Sequence, residues 1–337
     1  MTKKAVIVAL ADSNYLDPVK AMFSSVYFNS GWKGDYLLLS HQIPEKKLKW
    51  FRDRGIIIKK IKPIDNVKFA SWPSTILSKF YLFNEYFKKW SHVIYLDGDI
   101  IVRFNIDELL KIEGFAASMD YGHPVKWQFL DGYKKNPKLY LELKKNYNLR
   151  KLSFNVGFMV INTSIIKKNT FNDLVSLYFK YKKIIFFPEQ AILNIYFIND
   201  WKLLNTLYYN TPYAFFSSMS KKPSIKNSNK KLFWNSFGII IHFIGVGKEY
   251  KPWHPKNSFY DDWRNYLKKA NEINLSIRPN GFYRSNSYLV LFRHPIVAYY
   301  FFLSRFDFML GQIGIKIREK SPKTYRFIKK VKKFFKK

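Results

Sequence analysis

Residues 92–102 read His-Val-Ile-Tyr-Leu-Asp-Gly-Asp-Ile-Ile-Val. An apolar run reaches Asp97, a glycine separates it from Asp99, and a second apolar run follows at once. Two carboxylates set between two β-type runs are costly to bury unless something pairs with them. The Gly98 spacer is expected to let the backbone turn sharply at a strand end. Carboxylates one residue apart at such a place can hold one hard divalent cation, which can in turn grip a diphosphate. The same tripeptide also serves as a solvated turn, so the motif alone leaves both readings open.

The surrounding pattern indicates what kind of sheet carries this turn. Residues 5–10 are uninterruptedly apolar, as a strand covered on both faces requires. Asp17-Pro18 predicts a helix N-cap and first helical residue, and Val19, Met22, Phe23 and Val26 follow at helical spacing. Residues 36–39 and 56–58 predict further strands. Residues 75–87 predict a helix with Ile76, Phe80, Phe83 and Phe87 on one stripe, and His92–Leu96 a fourth strand. Strands alternating with helices predict an α/β fold with a mostly parallel sheet. Ligands of such sheets sit at the carboxyl ends of strands, where Asp12 and Asp97 both fall. Beyond residue 120 the pattern loosens. It predicts helical pieces over 138–145 and around 176–181, and strands over 158–161 and 239–244, the last interrupted by His242. A basic, Ser/Asn-rich stretch at 221–231 reads as a flexible lid.

Composition narrows the chemistry. With 337 residues, 47% of them hydrophobic, the chain can bury one large or two smaller cores. Cysteine is absent, which excludes disulfides, thiolate metal sites and cysteine nucleophiles and suits a reducing compartment. Lys and Arg number 58 against 24 Asp and Glu, a net charge of +34. That balance points to a polyanionic partner: nucleic acid, anionic membrane or phosphorylated glycan. No zinc-finger or RNP-type signature supports a nucleic acid, and none is expected. The apolar run behind Lys3 and Lys4 meets Asp12 too soon for a leader and reads as a buried strand. No run reaches the ~18–20 apolar residues that span a bilayer; the nearest, 288–303, is broken by Arg293, His294 and Pro295.

Four further clusters accompany Asp97 and Asp99. They are Ala9-Leu-Ala-Asp12-Ser-Asn14-Tyr15, Phe154-Asn155-Val-Gly157, Pro188-Glu189-Gln190, and His242-Phe-Ile-Gly245 followed by Lys251-Pro252-Trp253. Singly, these are an ordinary strand-to-helix loop, a strand, a helix start and a strand with a core histidine. In this order and spacing they resemble family 8 glycosyltransferases over residues 4–253. These are retaining, metal-dependent enzymes that include glycogenin and bacterial lipopolysaccharide glucosyl- and galactosyltransferases. The resemblance implies a GT-A fold, a Rossmann-like mixed sheet with helices on both faces, over residues 1–280.

It also implies residue roles. Ala9, Asp12, Asn14 and Tyr15 would hold the uridine. Asp97, Asp99 and His242 would bind Mn²⁺ or Mg²⁺. Lys79, Gly98, Gly245 and Lys251 would meet the UDP diphosphate, with Lys248 as the alternative lysine. Asp120, Asn155, Gly157, Glu189 and Gln190 would face the hexose. The family usually carries Asp-Gln at the third cluster; this chain carries Glu189-Gln190, one methylene longer. The activity implied is transfer of glucose or galactose from a UDP-sugar to a lipid-linked surface glycan such as lipopolysaccharide core. The alternatives are a glycogenin-like transferase acting on a protein or soluble glycan, and a non-catalytic nucleic-acid-binding protein.

Residues 281–337 hold 14 basic and 2 acidic residues and read as a basic, aromatic helical extension. Ser321-Pro322 predicts the start of a last helix, with Phe327, Ile328, Val331, Phe334 and Phe335 near helical spacing among six lysines. Such a segment suits an anionic membrane surface, placing the protein in the cytoplasm, peripheral to the inner face of the membrane. A solvated basic tail has the same composition. A chain ending near Ser321 is therefore expected to keep UDP-sugar hydrolysis and to stop sedimenting with anionic vesicles. Equal vesicle binding by the full and shortened chains would refute the anchor.

Overall fold

Six consecutive buried residues form β1 (Val6–Ala11), and their side chains alternate between two cores. Val6, Val8 and Leu10 enter one; Ile7, Ala9 and Ala11 enter the other. The computed structural model describes residues 4–65, 75–206, 208–213, 238–245, 247–277 and 321. The basic stretch 221–231 and the extension from 281, Ser321 apart, lie outside the described residues. Among the described residues, no helix is long and apolar enough to cross a membrane.

Helix α1 (Leu16–Asn29) covers the second core with Val19, Met22, Phe23 and Val26. Its N-cap is Tyr15, not Asp17. Asp17 sits inside the first turn, paired with Lys20 at 2.8 Å, and Pro18 is accommodated there because first-turn N–H groups need no helical acceptor. Strand β2 (Asp35–His41), helix α2 (Glu45–Arg52) and strand β3 (Ile57–Ile61) follow. Residues 75–87, read as one helix, form two 3₁₀ segments, Ile76–Phe83 and Glu85–Lys89. Extended Asn84 divides them and caps the second by accepting from the Tyr86 N–H at 3.0 Å. In the first segment Leu77, Phe80 and Phe83 recur every third residue and are all buried, as side chains of a three-residue turn eclipse one another.

Strands β4 (His92–Leu96) and β5 (Ile100–Val102) flank the Asp-Gly-Asp turn. Next come β6 (Phe115–Pro124), α3 (Gly132–Lys135), α4 (Pro137–Asn146), β7 (Leu152–Asn162), α5 (Thr170–Tyr181) and α6 (Pro188–Tyr196). Strands β8 (Trp201–Leu204), β9 (Thr211–Pro212) and β10 (Ile240–His242) and helix α7 (Tyr260–Lys269) complete the described elements. The main sheet runs β3-β2-β1-β4-β7-β6-β8. Its first four strands are parallel, as the alternation predicts, but β7 runs antiparallel to both β4 and β6. The expected strand at 158–161 is thus part of an eleven-residue strand.

Three register details position the site. Strand β1 pairs with β4 only from Val6 to Val8, while its pairing with β2 continues to Ala11. The sheet therefore parts between β1 and β4, the switch point where the strand order reverses. Antiparallel β7 returns Asn155 and Gly157 to that same end, where the Asp97 N–H donates to the Gly157 carbonyl at 2.8 Å. A second, small sheet of β5, β10 and β9 sets His242 opposite Ile100, and the Phe243 N–H bonds the Asp99 carbonyl at 2.9 Å. That pairing carries His242 to the Asp-Gly-Asp turn across the whole intervening chain.

Candidate active site

A cavity of about 540 Å³ opens where β1 and β4 part. Asp12, Tyr15, Lys79, Asp97, Gly98, Asp99, Asp120, Asn155, Gly157, Glu189, Gln190, His242, Gly245 and Lys251 all line it. Ala9 does not; it is fully buried in β1, and Leu10 and Ala11 reach the cavity instead. Asn14 is exposed outside it and bonds the Asp12 carboxylate through its N–H at 2.8 Å. Lys248 is exposed and also outside, so Lys251 is the lysine of that segment at the cavity.

Asp97, Asp99 and His242 offer ligand atoms within 4.8 Å of one another. His242 Nε2 lies 3.2 Å from Asp99 Oδ1 and 4.0 Å from Asp97 Oδ2. Lys79 Nζ straddles the Asp97 carboxylate at 3.0 and 3.1 Å, and the Tyr95 hydroxyl donates to it at 2.5 Å. Lys251 Nζ donates to Asp99 Oδ2 at 2.5 Å and to the Phe243 carbonyl at 3.1 Å. Burial opposes the Asp99 charge, but His242 and Lys251 outweigh it and hold the carboxyl below its ordinary value. Burial also opposes both ammonium groups, yet Asp97 and Glu189 raise Lys79 overall, and Asp99 raises Lys251.

The donor set fits a divalent cation. Two carboxylates and an imidazole suit Mn²⁺, with Mg²⁺ needing more oxygen and water ligands. Five acids, Asp12, Asp97, Asp99, Asp120 and Glu189, line the cavity against two lysines, which favours a further positive charge. Space is reserved for this cluster by Gly157: a Cβ there would lie 2.2 Å from His242 Cε1 and 2.8 Å from Asp97 Oδ2. Gly98 is in a tight place rather than in a left-handed turn. Its φ is not positive, and a Cβ would press on Pro18 and Val19 of α1 at 3.3 and 3.2 Å. Gly245 does adopt a positive φ, +152°, beside the Tyr250 ring.

Asp120 and Gln190 face the other end. Gln190 Nε2 donates to Asp120 Oδ2 at 2.9 Å and Gln128 Nε2 at 3.2 Å. Burial still pushes the Asp120 carboxyl up, against these bonds and the nearby His123. Glu189, in the first turn of α6, is 4% exposed, and its Oε2 has no hydrogen-bond partner. Burial drives its carboxyl to about 7, although Lys79, 3.7 Å away, and the backbone N–H groups of the turn pull it down.

Tyr95, Gln128 and Asn210 hydrogen-bond site residues without having been singled out in the sequence, and Tyr121 and His123 line the cavity in the same way. Tyr95, two residues before Asp97, could have been found from strand periodicity, which sends alternate side chains one way. Gln128 and Asn210 carry no local pattern; tertiary contact alone brings them to Asp120 and His242.

A split parallel sheet with an Asp-x-Asp turn at the switch point and a histidine delivered to it is the architecture of a GT-A glycosyltransferase. The chain belongs to glycosyltransferase family 8, whose model, described as Glycosyl transferase family 8, matches residues 6–257. It is 30% identical over 199 residues to a lipopolysaccharide 1,2-glucosyltransferase of Escherichia coli, covering 58% of this chain and 52% of that protein. It is 27% identical over 217 residues to glycosyltransferase GlyF of Streptococcus pneumoniae serotype 4, covering 61% and 48%. The chain thus spans about half the length of these curated relatives. In structure it is similar to the galactosyltransferase LgtC, solved with donor and acceptor sugar analogues, at a TM-score of 0.56 and 20% identity, covering 82% of this chain and 98% of that one.

Glu189 yields a stability prediction. Its folded-state value lies above the ordinary 4.5, so ionisation works against the fold as pH rises from 4.5 through about 7. Glu189→Gln is expected to raise the melting temperature of the metal-free protein. The gain should be absent near pH 4.5 and complete above pH 7, on the order of 3 kcal/mol. Calorimetric melts across that range check it; a gain that does not vary with pH would contradict it.

Proposed function

We propose that this chain is a metal-dependent, retaining hexosyltransferase that uses a UDP-hexose. The observation that carries the reading is the convergence, in one cavity, of a two-carboxylate-plus-imidazole cluster, two lysines, and a separate amide and carboxylate group beyond them. Asp12 and Tyr15 lie at the β1 end, where Trp253 meets the Tyr15 ring edge-on at 5.9 Å, and would take the uridine. Lys79 and Lys251 would stabilise the negative charge that develops on the departing diphosphate, an electrostatic contribution from groups already held in place. A divalent cation bound by Asp97, Asp99 and His242 would neutralise the same diphosphate. Asp120, Asn155, Glu189 and Gln190 would orient the hexose.

Retention needs a nucleophile on the enzyme or attack by the acceptor on the face the leaving group vacates. An amide such as Gln190 is a poor nucleophile. Glu189 is half protonated near pH 7, so its carboxylate is weakly available. Both features support same-face attack by the acceptor hydroxyl.

The acceptor we infer is a lipid-linked surface glycan. The lipopolysaccharide glucosyltransferase among the relatives and the net charge of +34, which suits an anionic surface, support it. Residues 1–280 would form the catalytic domain and residues 281–337 the membrane-associating extension, at the cytoplasmic face of the membrane.

UDP together with manganese is expected to raise the melting temperature by several degrees, and UDP-glucose or UDP-galactose to be hydrolysed slowly in a chelator-sensitive way. Asp99→Ala should lose both effects while keeping its circular dichroism spectrum. Full hydrolysis by that variant, or in excess chelator, would refute the reading.

A further inference from the structure

A chain of side-chain hydrogen bonds joins the two ends of the cavity, and two backbone donors fix the amides from which the direction of the remaining links follows. The Gly157 N–H donates to Asn155 Oδ1 at 2.9 Å, so that atom is an oxygen and the Asn155 nitrogen faces Gln190 at 3.4 Å. The Val156 N–H donates to Gln190 Oε1 at 3.3 Å, so the Gln190 nitrogen faces Asp120. Asn210 closes the series. Its Nδ2 donates to the same Asn155 Oδ1 at 3.2 Å, which leaves its Oδ1 facing His242 Nδ1 at 2.7 Å. That oxygen can only accept, so His242 carries its hydrogen on Nδ1. Amide and imidazole orientations assigned in this way rest on the whole network rather than on one contact.

The bonds therefore run one way, His242 to Asn210 to Asn155 to Gln190 to Asp120, and end on a carboxylate. With Nδ1 engaged by Asn210, Nε2 is the ring nitrogen turned toward Asp99 Oδ1, 3.2 Å away, and is the one available to a metal. Metal-bound histidines commonly donate their second nitrogen to a carboxylate or carbonyl, which fixes ring and tautomer; here three amides extend that link. A chain of aligned donors polarises each member.

The backbone of Asn210 marks the position independently. It is 1% exposed and has φ of +64°, a left-handed conformation costly for most residues and tolerated by asparagine. Such strain persists where the surroundings over-determine it. Asn210 stands immediately before β9, whose Pro212 pairs with His242, so the backbone ladder and the side-chain bond hold the histidine together.

We propose that Asn210 is a positioning residue that fixes His242 as a metal ligand and couples that ligand, through Asn155 and Gln190, to Asp120 at the sugar end. The inference rests on reading Asp97, Asp99 and His242 as a metal site.

Manganese affinity without nucleotide, read from the paramagnetic resonance of free Mn²⁺, tests it in the full-length protein and two variants that both tolerate a positive φ. Asn210→Gly removes both bonds and should weaken manganese binding by about tenfold or more. Asn210→Asp keeps an acceptor on His242 Nδ1 and should hold manganese within about threefold of the parent. It also sets an oxygen against Asn155 Oδ1, so its kcat for UDP-sugar hydrolysis at saturating manganese should fall about tenfold with KM little changed. Unchanged manganese affinity in Asn210→Gly, or an Asp variant as weak as the Gly variant, would overturn the proposal. Equal losses of melting temperature in both variants with manganese affinity unmoved would indicate a structural role and overturn it as well. No manganese binding by the parent would overturn the metal reading itself.

Discussion

Asp97 and Asp99 face Lys79 and Lys251 at the floor of a cavity, and the structure around them is arranged to make that burial tolerable. Lys79 is 6% exposed, and it belongs to a 3₁₀ segment whose Leu77, Phe80, Leu82 and Phe83 are all buried. An ammonium in such a place is stable only because two carboxylates, Asp97 and Glu189, share it. Removal of one member of a buried charge cluster leaves the others uncompensated, which costs more than the pair contributes when intact. Glu189 is the member for which compensation fails. It competes with Asp97 for one lysine and is left with an orphaned oxygen.

The parallel half of the sheet was legible because its strands announce themselves. β1 is continuously apolar, β4 ends at a carboxylate, and the helix between them repeats at the expected period. The Asp-Gly-Asp turn and His242 were legible for a different reason: unusual residues inside apolar runs need an explanation that ordinary packing does not give. What escaped was set by tertiary contact. Antiparallel β7 has the same residue pattern as a parallel strand would, since direction leaves no mark on alternation. The Thr75–Phe87 stripe fits both a four-residue and a three-residue turn, and only Asn84 breaks the tie. Asn210 lies in a stretch whose role exists only once Asn155 and His242 have arrived. The sharp turn at Gly98 was legible, but the closeness of α1, which leaves little room for a side chain there, was not.

Antiparallel β7 also explains how residues within a strand, and not only at its end, reach the cavity. A purely parallel sheet would present only strand ends and loops at the switch point. With β7 reversed, its early residues, Asn155 to Gly157, cross the mouth of the crevice with their backbone groups available. Those groups supply the N–H donors that orient Asn155 and Gln190 and the carbonyl that accepts from Asp97. Precision at the site is thus inherited from a sheet ladder rather than from loops, and supporting residues on rigid elements hold geometry better than those on loops.

The small sheet of β5, β10 and β9 has a consequence in time rather than in space. β1, β2, β3 and β4 can pair as soon as the first hundred residues exist, since each contact spans a modest loop. His242 and Lys251 join Asp99 across well over a hundred residues of intervening chain, the kind of contact that forms late because its loop-closure entropy is large. Lys79 precedes Asp97 and can pair with it early, but Asp99 waits many seconds of synthesis for Lys251 and His242. The Asp97-Asp99-His242 cluster is therefore completed only after most of the main sheet has been made, so a chain cut before residue 242 carries the acidic turn without its imidazole.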